Sequence, residues 1–395
     1  MYEWTLKFEQ DEFTTPALVL KDKDYYPALK EKYNKIYEIL EENHVPHEIQ
    51  EAVRKTGNMV LEIIQRYYSG NIRGALKGLD VVLKPLTHNP LVVSNLKNSL
   101  ALKGLKIFRN NIDDVDQSLF SEVDLFRSRL SDEISGFKPE KMLHIGFDDR
   151  GTIATQRFSI PGLPCLYFGT SSYDCWIEMG KPPDNIFNVS HAKFDDTIKV
   201  FNTAVNVYDI SEFSTLTEEN KDRYNINYDQ AIQTLMSLWL LSISASFSIE
   251  ETGRTFRSEY IISQLIMLVV RDSKLDGVIY LTKQLKTQLK NDNWAKPVSV
   301  NVALFAHYQD ESIMSSICKK IKISASVNYG EYKQLNAATR HSGEHLFVDW
   351  FLPSHSELAG KLVSYSQTQF YGFDKYLKKQ QQDYCDVDEI NKNHT

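Results

Sequence analysis

Cysteine is scarce: there are four, Cys165, Cys175, Cys318 and Cys385, in 395 residues. None belongs to a Cys-x-x-Cys pair, which excludes a zinc ribbon and a thioredoxin-like motif. So few thiols in so long a chain fit a reducing compartment. Positive charge is not in excess either. The formal net charge is −7, which disfavours binding nucleic acid by wholesale phosphate neutralisation and leaves room only for a local basic groove. Long hydrophobic runs are missing. The longest apolar stretch, TLMSLWLLSISASF over 234–247, is too short to span a bilayer and reads as a buried helix. The opening residues, MYEWTLKFEQDEF, carry acids and no apolar run, so no signal peptide is expected. These absences together lead us to expect a cytoplasmic protein without membrane contact.

Several chemistries are also missing. The sequence holds no GxGxxG, no Walker loop and no Gly-x-Ser-x-Gly elbow. Its ten histidines are read as forming no ligand set, and no metal site is expected. His144, in the loop-like KMLHIGFDDRG, reads as a satisfied structural histidine. Aromatics, by contrast, are plentiful, with 21 Tyr and 20 Phe; they supply buried area and flat faces for planar ligands. The chain is long for one core, and two domains are expected.

Residues 1 to about 20 read as extended. From Tyr26 to about Gly104 the texture is helical. In HEIQEAVRKTGNMVLEIIQRYYSG, the apolar Met59, Val60, Ile63, Ile64 and Tyr67 recur at helical spacing. Gly70 is placed to stop that helix, and another covers roughly 72–85, ending near Pro85. This part carries no metal or nucleotide signature and no Arg-x4–6-His pair of ribonuclease type, so it reads as a packing or oligomerisation module. The polar run RNNIDDVDQS marks a boundary. The expected division is a helical domain over 1–112, a second domain over 113–375 and a polar, frayed tail over 376–395.

In the second domain, short apolar runs bounded by Gly, Pro, Asn and Asp read as strands: 164–169, 197–204, 276–282, 299–307 and 322–327. Two helices, about 228–246 and 256–271, lie between them as an insertion. The pattern is that of an α+β fold with a mostly antiparallel sheet.

One segment concentrates chemistry: RFSIPGLPCLYFGTSSYDCWIE, from Arg157 to Glu178. Pro161 and Gly162 make a turn. Cys165 to Phe168 make a short strand that Gly169 ends. The Thr-Ser-Ser run offers a hydroxyl cap to a helix carrying Trp176 and Glu178. A strand end and the helix after it can point Tyr167 and Glu178 into one cleft.

These residues resemble the RES-domain family, named for an Arg, a Glu and a Ser. The family's Phe/Tyr-Arg-x-Arg strand is matched by LFRSRL, with Arg127 and Arg129. Its Arg-Phe-x-x-x-Gly-x-Pro-x-Leu-Tyr element is matched by the run from Arg157 to Tyr167. A Glu eleven residues after that Tyr is Glu178. Asp-Gly-Ile-x-Tyr-x-Ser is matched by DGVIYLT, followed by NVALF. The resemblance covers roughly 120–310. It departs at the family serine, where Thr282 stands; Thr282 keeps a hydroxyl, and Ser263 on the preceding helix is an alternative carrier.

The resemblance implies a fold similar to ADP-ribosyltransferases, NAD+ as substrate and a toxin's role, often with an antitoxin partner. The chemistry suits the residues. Cleaving the nicotinamide–ribose bond passes through an oxocarbenium-like state, and the leaving group is already cationic, so one carboxylate, Glu178, suffices. Arginines match pyrophosphate oxygens bidentately; Arg127, Arg157 and Arg129 are the candidates. Tyr167 offers a ring face to a pyridinium and a hydroxyl to ribose. Thr282 is placed to contact the nicotinamide or its ribose. The bland readings are a salt-bridge or edge arginine, a core tyrosine, a surface glutamate and an ordinary strand threonine.

Three functions follow from this. The first is an enzyme consuming NAD+ by hydrolysis, phosphorolysis or ADP-ribosyl transfer, with an antitoxin, a regulatory protein or a second copy meeting the helical domain. The second is a non-catalytic, degenerate RES fold used for protein binding. The third, an RNA-acting effector, is opposed by the absence of an Arg-x4–6-His pair from the helical part and by the acidic balance.

Overall fold

The amphipathic spacing over 47–68 folds as a helix, and Gly70 follows its end with a φ of 80°. The computed structural model describes residues 3–8, 13, 18–19, 25–103, 123–132, 136–214, 227–249, 251, 253–283, 300–309, 312–336, 355–358 and 361–392. The polar run expected to mark the boundary lies outside the described residues. The chain opens with helices α1 (Tyr25–Glu42), α2 (His47–Tyr68) and α3 (Ile72–Leu83). Strands β1 (Leu125–Leu130) and β2 (Cys165–Gly169), helix α4 (Ser172–Glu178), and strands β3 (Phe187–Phe194) and β4 (Lys199–Asn202) follow. Next come helices α5 (Tyr228–Ala245) and α6 (Ile261–Asp272), then strands β5 (Gly277–Leu281), β6 (Val300–Phe305), β7 (Ile321–Ile323) and β8 (Val327–Asn328). Helices α7 (Tyr329–Asn336) and α8 (Gln369–Lys378), strand β9 (Asp383–Tyr384) and helix α9 (Val387–Lys392) complete the labelled elements. Among the described residues, no helix is long and apolar enough to cross a membrane.

The chain forms two compact units that interleave along the sequence, where a contiguous division was expected. One comprises residues 1–94, 98–119 and 199–290; the other comprises 95–97, 120–198 and 291–395. The helices expected as an insertion into the sheet domain, α5 and α6, therefore group with the N-terminal helices. The reason is burial. Helix α5 is buried along most of its length, with Leu235, Leu238, Trp239, Leu240 and Leu241 all enclosed, and such a helix needs other helices around it.

In the helical unit, α2 presents Ile49, Val53, Val60 and Ile64 as one buried stripe. Tyr25 and Tyr33 of α1 sink their rings into the core and donate their hydroxyls to the Ser244 and Leu240 carbonyls, at 2.7 and 2.8 Å. Residues Glu3–Phe8, expected as extended, form a 3-10 turn; its Phe8 packs edge-on against Trp239 with ring centres 5.2 Å apart. Helix α6 buries Ile262, Ile266 and Val270 and leads into β5. That strand pairs in parallel with β4, Val200 facing Gly277, a pairing that requires a crossover such as these helices supply.

In the other unit the sheet runs β9-β7-β3-β1-β2-β6, with β8 also beside β3. These pairs are antiparallel. The fold is thus α+β with mixed antiparallel and parallel pairing. The long central strand β3 was not read from the sequence because FNVSHAKF buries Asn188, Ser190 and His191 among its apolar residues. Its histidine is held by Asp124, which accepts from Nε2 at 2.6 Å. The tail expected to fray is built into this unit. Strand β9 pairs with β7, Cys385 and Val387 are buried, and Asn391 accepts the Ile313 and Met314 amides at 2.9 and 2.8 Å.

Helix α4 sits very close to β2. Ser171 caps it, its hydroxyl accepting from the Asp174 amide at 3.0 Å, as the hydroxyl run suggested. A Cβ on Gly169 would stand 3.0 Å from Asp174 Cβ, 3.1 Å from Cys175 Sγ and 3.2 Å from the Cys175 amide nitrogen. A branched side chain there must push the helix away. Gly169→Val is expected to destabilise the protein by about 1–3 kcal/mol, the usual cost of overpacking. Urea denaturation checks this, as a lower midpoint at unchanged slope.

Candidate functional site

The site is built on the pairing of β2 with β6. Tyr167 lies opposite Ala303 and Gly169 opposite Asn301. Directly paired residues share a face of a sheet, and alternate residues on a strand do too. Tyr167, Gly169 and Asn301 therefore face the same way, towards α4. Glu178 is the last residue of that helix and is half-buried. Its Oε1 accepts from Asn301 Nδ2 at 3.0 Å. Tyr167 and Asn301 are diagonal neighbours across the ladder, a relation that separates residues by about 7–8 Å. The phenol and the carboxylate expected from the sequence thus come to one neighbourhood, with Asn301 between them.

A turn from Gln156 to Ser159 is pinned to the same face. Ser159 accepts the Tyr167 hydroxyl at 3.2 Å, and Cys165 Sγ donates to the Phe158 carbonyl at 3.2 Å. This turn carries Arg157, which is buried with its guanidinium 5.4 Å from the centre of the Phe158 ring.

Arg127 and Arg129 lie elsewhere. Phe126 pairs with Gly169 and its carbonyl accepts from Cys175 Sγ of α4. Alternation along β1 then sends Arg127 and Arg129 to the opposite face. There Arg127 packs 6.0 Å from the Phe168 ring centre. Its guanidinium donates to three carbonyls: Met142 at 2.5 Å, Tyr167 at 3.2 Å and Leu143 at 3.2 Å. Arg129 donates to Leu143 as well, at 2.7 Å. Burial, and then repulsion from Arg129, bring the Arg127 guanidinium down to about 9, which leaves it charged at neutral pH. Its observed work is to fasten β1, β2 and the 142–143 segment together, and it meets Tyr167 through the backbone.

Thr282 follows β5 in the helical unit and is buried. Its neighbour Lys283 is buried too, pairing with Glu259 at 3.4 Å and lying 4.2 Å from the Tyr260 ring centre. Ser263, the alternative hydroxyl, donates to the Ala245 carbonyl at 3.5 Å. Among the described residues, no group of three or more His, Cys, Asp and Glu could hold a metal ion.

Sequence reasoning did not select Asn301 or Ser159. Asn301 had a legible signal, a lone amide inside the apolar VNVALF. Ser159 had none beyond its place two residues after Arg157.

No family model matches the chain. It is 30% identical over 216 residues to a Bacillus subtilis (strain 168) protein named "Putative toxin YopC", the match covering 50% of this chain and 47% of that protein. The chain therefore spans about half the length of the curated relative it matches, and the similarity is a distant relationship to a protein named as a toxin. A crystal structure of the M. tuberculosis MbcT-MbcA toxin-antitoxin complex aligns over 55% of this chain and 91% of that one, with 11% identity and a TM-score of 0.26. At that score the likeness carries no argument about this chain.

His144 is structural, as its context suggested. Its Nδ1–H donates to the Ile145 carbonyl at 2.7 Å and its Nε2 accepts the Ser315 amide at 2.9 Å, which fixes a neutral ring. Burial depresses its ionisation to about 4; the Ile145 hydrogen bond acts the other way, and Arg127 and Arg129 add to the depression. A histidine depressed in the fold takes up a proton more readily when unfolded. Its stabilisation is full above the unfolded value of about 6.5 and is lost as pH falls from there towards about 4. The imidazole NMR signals of His144 are expected to stay fixed from pH 8 to about pH 5; a midpoint near 6.5 contradicts the assignment.

Proposed function

We propose that this chain is a toxin-type effector that cleaves the nicotinamide–ribose bond of NAD+. The observation that carries the reading is the half-buried Glu178 carboxylate, held by Asn301 one diagonal step from Tyr167. In the reaction the C1′–N1 bond breaks and its electron pair leaves with neutral nicotinamide. The ribose passes through an oxocarbenium-like state, and an acceptor oxygen then bonds to C1′ and gives up its proton. Glu178 holds the ribose 2′-hydroxyl and faces the charge as it develops. Tyr167 offers its ring to the pyridinium. Arg157, on the turn fixed to the same face, is the arginine assigned to the pyrophosphate. Arg127 and Arg129 serve as braces behind the strand. The distant relationship to a toxin-named protein supports the cellular role, and an antitoxin protein that docks on the helical unit completes the proposal.

Two observations favour the second reading, a non-catalytic protein-binding module. The guanidinium of Arg127 is occupied by three backbone carbonyls, and a threonine stands at the family serine. A single assay separates the two. Purified protein is incubated with NAD+, with and without phosphate, and products are identified by mass. Release of nicotinamide is expected, with free ADP-ribose marking water as acceptor and a phosphorylated product marking phosphate. Intact NAD+, together with harmless expression in a bacterial host, favours the binding module.

Glu178→Gln is expected to lower kcat by about 10²–10³, the cost of removing one preorganised stabilising group. Asn301→Leu removes this one hydrogen bond to the carboxylate, and about a tenfold loss in kcat is expected, as for losing about 1.4 kcal/mol of transition-state stabilisation. Steady-state kinetics of nicotinamide release measures both.

A further inference from the structure

We propose that Asp374, near the other end of the chain, is a positioning residue for the catalytic helix, holding the first turn of α4 so that Glu178 stays in register with Asn301. The proposal rests on the functional reading above and adds to it a part of the chain outside the sequence motifs.

Asp374 lies on α8 and is 2% exposed. Its Oδ1 accepts the Ser172 amide at 2.9 Å, and its Oδ2 accepts the Tyr365 hydroxyl at 2.5 Å. The opening amides of a helix have no partner inside it. In α4, Ser171 satisfies Asp174 from within the segment, while Ser172 is satisfied by a residue 202 positions away. A carboxylate at a helix start is also favoured by the peptide dipoles. Phe370, one turn earlier on α8, packs against Tyr173 and Trp176 with ring centres 5.5 and 5.4 Å away, and its carbonyl accepts from the Ser172 hydroxyl at 3.5 Å. α8 therefore grips α4 by both its backbone and its aromatic side chains.

This grip matters because α4 spans only seven residues. Two turns of helix cannot hold a fixed orientation alone, and Glu178 sits at the far end from Ser172. A misplacement of about 1 Å of a catalytic group can cost about 10²-fold in rate.

The titratable and charged groups facing Asp374 are Lys378 of its own helix, Tyr365 beside it, Asp174 and Cys175 from α4, and Tyr329 and Tyr332 from α7. Burial raises its ionisation to about 7, against the hydrogen bonds from Ser172 and Tyr365 and the attraction of Lys378. An acid raised in the fold holds its proton more tightly when folded. The contribution of Asp374 to stability therefore falls as pH rises from about 4 to about 7, opposite in sign to that of His144, and Asp374→Asn should remove that contribution.

The test uses the full chain and NAD+. Asp374→Leu cannot accept the Ser172 amide and is expected to lower kcat about tenfold, with KM within about twofold of wild type. Asp374→Asn keeps an oxygen for that amide and should retain at least about a third of kcat. If the leucine variant does not fold, Tyr365→Phe removes only one support and should lower kcat about threefold at unchanged KM. Unchanged kcat in these variants, a change in KM instead, or an asparagine variant as impaired as the leucine one overturns the proposal. If wild type leaves NAD+ intact, the functional reading fails separately. Hydrogen exchange at the Ser172 amide then still decides whether Asp374 holds the helix: faster exchange in Asp374→Leu supports it, and equal exchange overturns it.

Discussion

The seating of α4 on β2 is the constraint on which the candidate site depends. The absence of a side chain at Gly169 brings the helix within contact of the strand, so that a carboxylate on the helix and an amide on the next strand meet at hydrogen-bonding distance. Interiors this closely packed resist small displacements because neighbouring atoms have nowhere to go. A short helix lying on a strand end therefore behaves as part of the sheet, and Glu178 inherits the precision of the β2–β6 register.

Such close seating buries polar groups, and these are satisfied rather than avoided. Asp174 accepts the hydroxyls of Thr170 and Ser171, each at 2.7 Å, while Asp374 closes the helix start from outside. A buried carboxylate without partners is very costly, and a partly satisfied network is costlier than an apolar one. Asp174 takes its hydroxyl donors from the two residues that lead into α4, whereas Asp374 gathers its donors from two separate segments, at Ser172 and Tyr365. Cys175 belongs to this region only as a packing residue: burial pushes its thiol well up, which keeps it protonated and unreactive.

Local signals made much of this legible. The spacing in α2, the stop at Gly70, the hydroxyl cap of α4 and the apolar runs of β2, β5 and β6 all state their conformation in a few adjacent residues. What failed to read was set by distant partners. β3 hides because it buries polar residues among its apolar ones, His191 being held by Asp124, 67 positions away. α5 and α6 looked like an insertion because sequence order says nothing about which unit covers a buried helix. The C-terminal region looked polar because its few buried residues, Leu377, Cys385 and Val387, are spaced too widely to make a pattern. In the candidate site, the approach of Tyr167 and Glu178 was legible through their spacing on a strand and the following helix, whereas Asn301 and Asp374 are brought there by ladder register and long-range docking.

The two arginine motifs show how one residue type divides between two tasks. A guanidinium in a low-dielectric interior needs acceptors, and Arg127 finds them in three carbonyls from two stretches of chain. Lysine could not replace it, since a compact ammonium lacks the planar fork that reaches three acceptors at once. The brace ties the Tyr167 backbone to the 142–143 segment, and with it the strand that presents the phenol. Arg157 sits on a turn, is held from the side by a ring, and lies on the phenol's own side of the sheet. Under the proposed reading a dinucleotide's phosphates need a cation on the side where the ribose is held, so position, more than residue type or motif, distinguishes Arg157 from the bracing Arg127.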